Sequence, residues 1–301
     1  MSRWTDGPMS RFCVLEKLAF LKHNHGSREV NRIMSPVSAA SVSTTVKEYK
    51  HIVYDTSTFA AKITLNHPPY NVLTVPLMSE IAQAIESLNG RADIKCILLT
   101  SSQKAFCAGI SLEDSKADRV FQTLDAFTRI FTAIREISKP LIVVVNGPAV
   151  GAGSELVAFG DMVIATPNAK FSQPEVKMGV FPPFAAIMLP ALIGPKKTYE
   201  LILTGQPLSA EEALRLGFVN RVVAEAELTH AVDEVLARIG EFSAPVLEMT
   251  KSVIASSIGL PLVEAMKKSA DIYLNQLMSL EDVQEGLRAV LEKRKPVWKN
   301  K

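Results

Sequence analysis

From Tyr49 onward, apolar and polar positions recur with two different periods. "HIVYDTS" and "FAAKITLN" are short β-rich runs that predict a hairpin, closed by the turn-forming "HPPYN". The period then lengthens. Over 75–89, Leu77, Ile81, Ile85 and Leu88 fall on one helical face. "KCILLTS" has the continuous apolar character of a buried strand. The segment 119–138 returns to helical spacing through Val120, Leu124, Phe127, Phe131 and Ile134, and "PLIVVVNG" reads as another buried strand. Strands and helices therefore alternate, which predicts an α/β architecture with largely parallel pairing. The last third is nearly all helical. Ser209 with Glu212 in "LSAEEALRLG" predicts a capping box with Gly217 as the stop, and Ser279 with Asp282 predicts a second one before the final helix. Such a helical tail after an α/β core often covers an active site or a subunit interface.

Composition narrows the field. The chain has 301 residues, 48% of them hydrophobic, enough to fill the core of one large domain or two small ones. Lys plus Arg number 33 against 31 for Asp plus Glu, so no global field draws in nucleic acid or an anionic membrane. No apolar run reaches the roughly 18 residues of a spanning helix. Cys13, Cys96 and Cys107 are too scattered for a disulfide framework, which favours a reducing compartment. Five histidines, His23 and His25 among them, show no metal-ligand spacing, and no metal is expected. Residues 1–45 differ from the rest, mixing basic and polar residues with "VLEKLAFL" and the low-complexity "SPVSAASVSTT". Their Arg and Ser suit a transit peptide, whereas Asp6, Glu16 and Glu29 suit a disordered extension or a start at Met34. The expected compartment is the cytoplasm, or an organellar matrix if the extension is a transit peptide.

The chemistry is concentrated in two bends that each follow a buried strand. In "PLIVVVNGPAVGAGSEL" the strand leads through Gly147 and Pro148 to Gly151, Ala152 and Gly153, and an apolar segment with Glu155 follows. A strand, a small-residue loop and a helix start leave backbone N–H groups unpaired, able to stabilise a developing negative oxygen. A closely packed turn has the same composition. A dinucleotide loop is disfavoured, because the G-x-G-x-x-G spacing is absent. "KAFCAGISLED" supplies the second bend at Ala108 and Gly109. Two bends aiming one amide apiece at one point meet the requirement of an oxyanion hole.

Five segments in order, "AFCAGISLED", "NGPAVGAGSELVAFGD", "FSQPEVKMGV", "LTGQPLSAEEALRLGFVNRVV" and "LEKRKPVWK", resemble the signatures of the crotonase, or enoyl-CoA hydratase/isomerase, superfamily. The resemblance runs from about residue 50 to the C-terminus. It implies an α/β spiral of ββα units over 46–240, a helical trimerisation region over 241–301, a trimer or pair of trimers, and an acyl-CoA thioester substrate. No separate cofactor is implied, since coenzyme A arrives as part of the substrate. By the same resemblance, the oxyanion amides are those of Ile110 and Ala152, and the paired carboxylates are Glu155 and Glu175. Lys104 matches a lysine that contacts CoA phosphates. Ala105, Phe106, Ala108, Gly109 and Gly151 belong to the substrate-binding loops. Cys107 reads as a small buried residue and not a nucleophile.

Such a pair fits hydration, in which water attacks an electrophilic carbon, the thioester oxygen gathers enolate charge and a proton must be supplied. Two carboxylates about 7 Å apart would repel by roughly 2.4 kcal/mol at an effective dielectric near 20, approaching two pKa units. One would then stay protonated near neutral pH. One departure stands out: "GVFPPFAAIM" places Pro183, which has no N–H, where typical hydratases offer a glycine amide to the catalytic water. Phe181, Phe184 and Met188 would make a bulkier, apolar wall. This variant resembles hydratases of cyclohexa-1,5-dienecarbonyl-CoA. A general enoyl-CoA hydratase, a Δ3,Δ2-enoyl-CoA isomerase and a non-catalytic acyl-CoA-binding or RNA-binding homologue are the alternatives.

Overall fold

The computed structural model describes residues 48–301. The extension over 1–45, with Cys13, His23 and His25, lies outside the described residues. The hairpin forms as β1 (Ile52–Asp55) and β2 (Ala60–Leu65), antiparallel with Ile52 opposite Leu65. "HPPYN" follows β2 and turns the chain away from the sheet, while 56–59 make the hairpin bend itself. Helix α1 (Val75–Glu86) starts at Thr74, whose hydroxyl accepts from Leu77 N–H, with Pro76 in the first turn where no donor is needed. Its buried face includes Leu77, Ile81 and Ile85 as the periodicity requires. Strand β3 (Cys96–Ser101), helix α2 (Val120–Ile137) and strand β4 (Leu141–Val145) follow.

A six-stranded sheet has the order β1-β2-β3-β4-β6-β9, with β6 at Met162–Ala165 and β9 at Arg221–Val222, parallel after the first pair. Its alternate residues feed two cores. Ile97, Leu99, Val143 and Val145 face the cluster with α1 and α2, while Leu98, Ile142, Val144 and Ile164 face Ala231, Val232 and Ile239 of α7 (Leu228–Gly240). Covering both faces explains why β4 reads as an unbroken apolar run.

A second, smaller sheet joins β5 (Ala149–Val150), β7 (Lys170–Ser172) and β8 (Leu208–Ser209). Single bridges extend it from Ala149 to Cys107 and from Ile110 to Leu73. Successive passes of the chain thus add one strand to the large sheet and one short segment to the small one, in the same order. That is a spiral of repeated units.

Helix α3 (Ala152–Ala158) leaves β5, and α4 (Ala185–Leu192) and α5 (Pro195–Thr204) lie beyond β7. Ser209 caps α6 (Ala210–Arg215) by accepting from Glu212 N–H, and Gly217 at φ 77° lets the chain turn off its end. Glu212 does not complete the box, because its carboxylate pairs with Lys197. The second predicted box does not form. Helix α10 (Glu281–Leu291) begins after Leu280; the Ser279 hydroxyl donates to Gln276 O, and the buried Asp282 accepts from Lys299 and Asn300 N–H. A carboxylate that satisfies two tail amides outcompetes a local cap.

The helix 119–138 also departs from its pattern at one end. Phe127, Phe131 and Ile134 are buried, whereas Val120 and Leu124 are each 39% exposed, since over the first turn it is Thr123 that points inward, its hydroxyl donating to Asp114 O. Helix α8 (Ala244–Ser257) docks through charge. Lys139, nearly fully buried, donates to Arg91 O, Ile94 O and Glu248, and Lys251 reaches Asp161 at 2.7 Å. Substituting one member of a buried pair strands the other. Glu248→Ala should therefore cost about 3 kcal/mol, read from urea denaturation, with Lys139→Met milder than Glu248→Ala.

Candidate active site

The small sheet brings the two bends together. Leu73 N–H donates to Gly109 O and Ser111 N–H donates to Leu73 O, so the amide of Ile110 between them faces away from Leu73. On the other side, Val150 N–H donates to Cys107 O at 2.9 Å. The close approach is tight enough to require glycine. A Cβ on Gly109, at φ 90°, would lie 2.9 Å from Val150 O, and one on Gly153 would meet Cys107. The chain then passes Gly151 at φ 53° into α3, whose first bond is Glu155 N–H to Gly151 O. The amides of Ala152 and Ile110 have no backbone acceptor among the described residues. Both donors are free where the two bends meet, Ala152 N lying 3.9 Å from where a Cβ on Gly109 would sit.

Asn71 fixes the first bend and was missed in the sequence. Fully buried, it donates to Ser101 Oγ at 2.7 Å and Phe106 O at 3.0 Å and accepts from His67 N–H at 2.8 Å. An asparagine beside "HPP" reads as turn chemistry, so only its long-range partners reveal the task.

Glu155 is 2% exposed on α3, and its Oε1 accepts from the amides of Phe184 (2.9 Å) and Ala185 (2.7 Å) at the start of α4. Burial pushes its carboxyl up to about 7; the Ala185 amide opposes this, Glu175 adds to it, and the Phe184 amide opposes it again. Glu175 opens a single helical turn, Glu175–Met178, just after β7. Its Oε1 lies where a side chain on Gly151 would go, and its Oε2 is buried without a hydrogen bond. Burial raises its carboxyl too, against its own backbone N–H. Desolvation is the leading cause in both cases, ahead of the mutual repulsion that spacing alone suggests. Lys177 Nζ donates to Gly205 O at 3.1 Å and anchors that turn.

Other expected residues are distributed as follows. Ala105, Phe106 and Gly109 are buried; Ala108 is exposed. Lys104 is exposed with no partner among the described residues. Phe181 is 70% exposed, whereas the Phe184 ring packs against Phe127, Phe131 and Phe159. The Phe184 amide matters at the site as much as its ring. Cys107 is buried, and burial holds its thiol up at about 12, no nucleophile at neutral pH. Gln173 and Ser154, both buried, have side-chain polar atoms without partners among the described residues. Neither stood out in the sequence. Among the described residues no cluster of three or more His, Cys, Asp or Glu could hold a metal ion, and no helix is long and apolar enough to cross a membrane.

Two amides without a backbone acceptor, the buried carboxylate of Glu155 and the half-buried one of Glu175, with its Oε2 shielded from solvent, share one end of a spiral α/β scaffold. Residues 55–301 match the family model for enoyl-CoA hydratase/isomerase, and the chain belongs to that family. It is 34% identical to a probable mitochondrial enoyl-CoA hydratase of Dictyostelium discoideum, over 88% of this chain and 98% of that protein. It is 32% identical to a crotonyl-CoA hydratase of Syntrophomonas wolfei, over 82% and 97% respectively. Among solved structures it resembles the enoyl-CoA hydratase of Bacillus anthracis, with a TM-score of 0.79 and 28% identity over 84% of this chain and all of that one. Human enoyl coenzyme A hydratase domain-containing protein 3 gives the same score at 28% identity, covering 83% and 100%. The fold is the crotonase fold.

The raised carboxyl of Glu155 has a thermodynamic consequence. Folded protein holds this proton up to about pH 7, while the unfolded chain releases it near 4.5. The associated stability is full below the lower value and is lost as pH rises through the higher one. It amounts to about 3 kcal/mol. Thermal denaturation of Glu155→Gln should therefore show a higher midpoint than wild type above pH 7, with the gap closing toward pH 4.5.

Proposed function

We propose that this protein is an acyl-CoA hydratase that adds water across an α,β-unsaturated CoA thioester. The observation that carries the reading is the carboxylate pair, Glu155 buried and Glu175 half-buried, both raised, beside the free amides of Ile110 and Ala152. The relatives named as enoyl-CoA and crotonyl-CoA hydratases support it.

In this reading the thioester oxygen accepts from the amides of Ile110 and Ala152. Glu155, about half ionised at pH 7, takes a proton from water as the oxygen bonds to the electrophilic carbon. The electron pair moves to the thioester oxygen, giving an enolate. Glu175 then delivers a proton to the α-carbon, so H and OH have been added and Glu155 returns its proton to Glu175 through solvent. An oxyanion donor is worth about 2.7–4 kcal/mol and a positioned acid or base about 10² to 10⁴ in rate. Lys104, exposed at the rim, would meet the CoA phosphates.

The finer proposal concerns the acyl group. Pro182 and Pro183 offer no N–H, and the next two amides are already held by Glu155. In this reading water is held without an amide from positions 182–185, and the apolar Phe181 flanks them. That favours a flat, apolar acyl group, a cyclic conjugated dienoyl thioester in which attack moves to the far end of the diene.

Purified protein incubated in parallel with crotonyl-CoA and cyclohexa-1,5-diene-1-carbonyl-CoA should gain one water on the diene faster, by mass spectrometry. Faster crotonyl-CoA hydration would make it a general enoyl-CoA hydratase; no hydration of either would leave isomerase or binding roles. Glu155→Gln and Glu175→Gln should each cut hydration at least about 100-fold. Deuterium exchange at the α-carbon of a saturated acyl-CoA should persist in the first and vanish in the second.

The C-terminal helices carry the oligomer proposal. Helix α9 (Leu262–Asn275) buries none of its residues, and with α8 it lines an apolar groove of about 730 Å³ with Ile254, Met266, Tyr273 and Leu274. Exposed apolar surface of this extent suits burial against further copies. Light scattering should give three or six chain masses, and Met266→Asp with Tyr273→Asp should give a smaller species.

A further inference from the structure

The grip on Glu155 depends on a feature outside the reacting groups. Phe184 is the residue just before α4, and its ring joins three others: Phe131 at 4.8 Å between centroids, Phe127 at 5.4 Å and Phe159 at 6.4 Å. Phe131 stacks on Phe159 at 3.7 Å, and Phe127 meets Phe131 edge-on at 4.7 Å. Phe159 ends α3 one turn after Glu155, its N–H donating to Glu155 O. The four rings therefore tie together α2, the end of the helix carrying Glu155, and the start of the helix whose amides hold its carboxylate. Such contacts add to burial, because the positive ring edge of one meets the negative face of another.

The Phe184 carbonyl also accepts from Ile187 and Met188 N–H, which starts α4, but these bonds do not tie the segment to α2 or α3 as the ring does. Pro182 and Pro183 precede Phe184 and donate nothing, and Phe184 has no side-chain cap. The backbone bond from Ala186 N–H to Pro182 O closes the turn behind it but leaves the Phe184 and Ala185 amides free to point at Glu155.

We propose that Phe184 is a positioning residue: through its ring in the Phe127–Phe131–Phe159 cluster it holds the Phe184 and Ala185 amides on Glu155 Oε1, orienting the carboxylate and keeping it ionisable. This rests on Glu155 acting as the base in the proposed hydration, but its structural core does not. Two amide donors favour the ionised carboxylate. Loosening them leaves burial and the Glu175 charge unopposed, and both drive the carboxyl upward. Glu175 is the charged group acting on Glu155 among the described residues; α2 presents Phe127 and Phe131 to this cluster, and α4 has no titratable side chain.

The experiment is a direct infrared or carbon-13 titration of the Glu155 carboxyl, identified as the signal lost in Glu155→Gln, in wild type, Phe184→Ala and Phe184→Leu. Phe184→Ala should raise the midpoint by about one unit or more, with Phe184→Leu closer to wild type because it refills the cluster. Circular dichroism checks that each variant is folded, and Phe131→Ala, which removes a ring contact without touching the α4 backbone, should shift the same signal the same way. In turnover, Phe184→Ala should lower kcat with little change in KM. An unmoved carboxyl midpoint in folded Phe184→Ala and Phe131→Ala overturns the proposal, and so does a loss confined to KM, which would make Phe184 an acyl-pocket wall. Because the titration needs no substrate, it reads the proposal even if wild type hydrates nothing.

Discussion

Everything at this site depends on how closely two backbone bends can approach. The segment 107–110 lies between Leu73 and β5, and it fits only because Gly109 and Gly153 carry no side chain toward Val150 O and Cys107. Gly147 meets the same limit against Lys104 O. With the bends in contact, the peptide groups that pair across the small sheet use up one side of each segment. The amides of Ile110 and Ala152 are left over where the bends meet, oriented by bonds their neighbours make. Donors held this way need no reorganisation when charge develops in front of them. Asn71 contributes from behind, since its amide holds Phe106 O in place while its own backbone sits at φ 52°.

The carboxylates follow from the same packing. Glu155 is four residues from Gly151 on α3, so the bend that frees Ala152 N–H also delivers Glu155 into the interior. Glu175 lies over Gly151, where any larger residue would displace it. Burial raises both groups, at a cost to the ionised fold. The partial compensation, two amides on Glu155, comes from a helix start packed by aromatic rings. Stability is thus lowered at a group that titrates near neutrality, as the proposed hydration asks of its base.

Some expectations failed for identifiable reasons. The box predicted at Ser279 and Asp282 is a local reading, and Asp282 instead satisfies amides of Lys299 and Asn300, far away in the chain. Val120 and Leu124 have the right phase for a buried stripe, yet the inward position of that turn goes to Thr123, which apolar periodicity passes over. The aromatic cluster around Phe184 was not read from the sequence, since only the distances to Phe127 and Phe131 bring those rings together. Gln173, Ser154 and Asn71 were silent because a polar residue near a turn or strand end has many ordinary uses.

The sequence by itself determined the alternation of elements, the buried run of β4 and the two small-residue bends, because these are written in local period and residue size. It also carried the family, through segments whose order spans the chain. What only the tertiary structure decided is which free amides meet, which amides hold Glu155, and why both carboxyls rise. Those depend on contacts between residues tens of positions apart, where burial and hydrogen bonding are set by packing that no local pattern encodes.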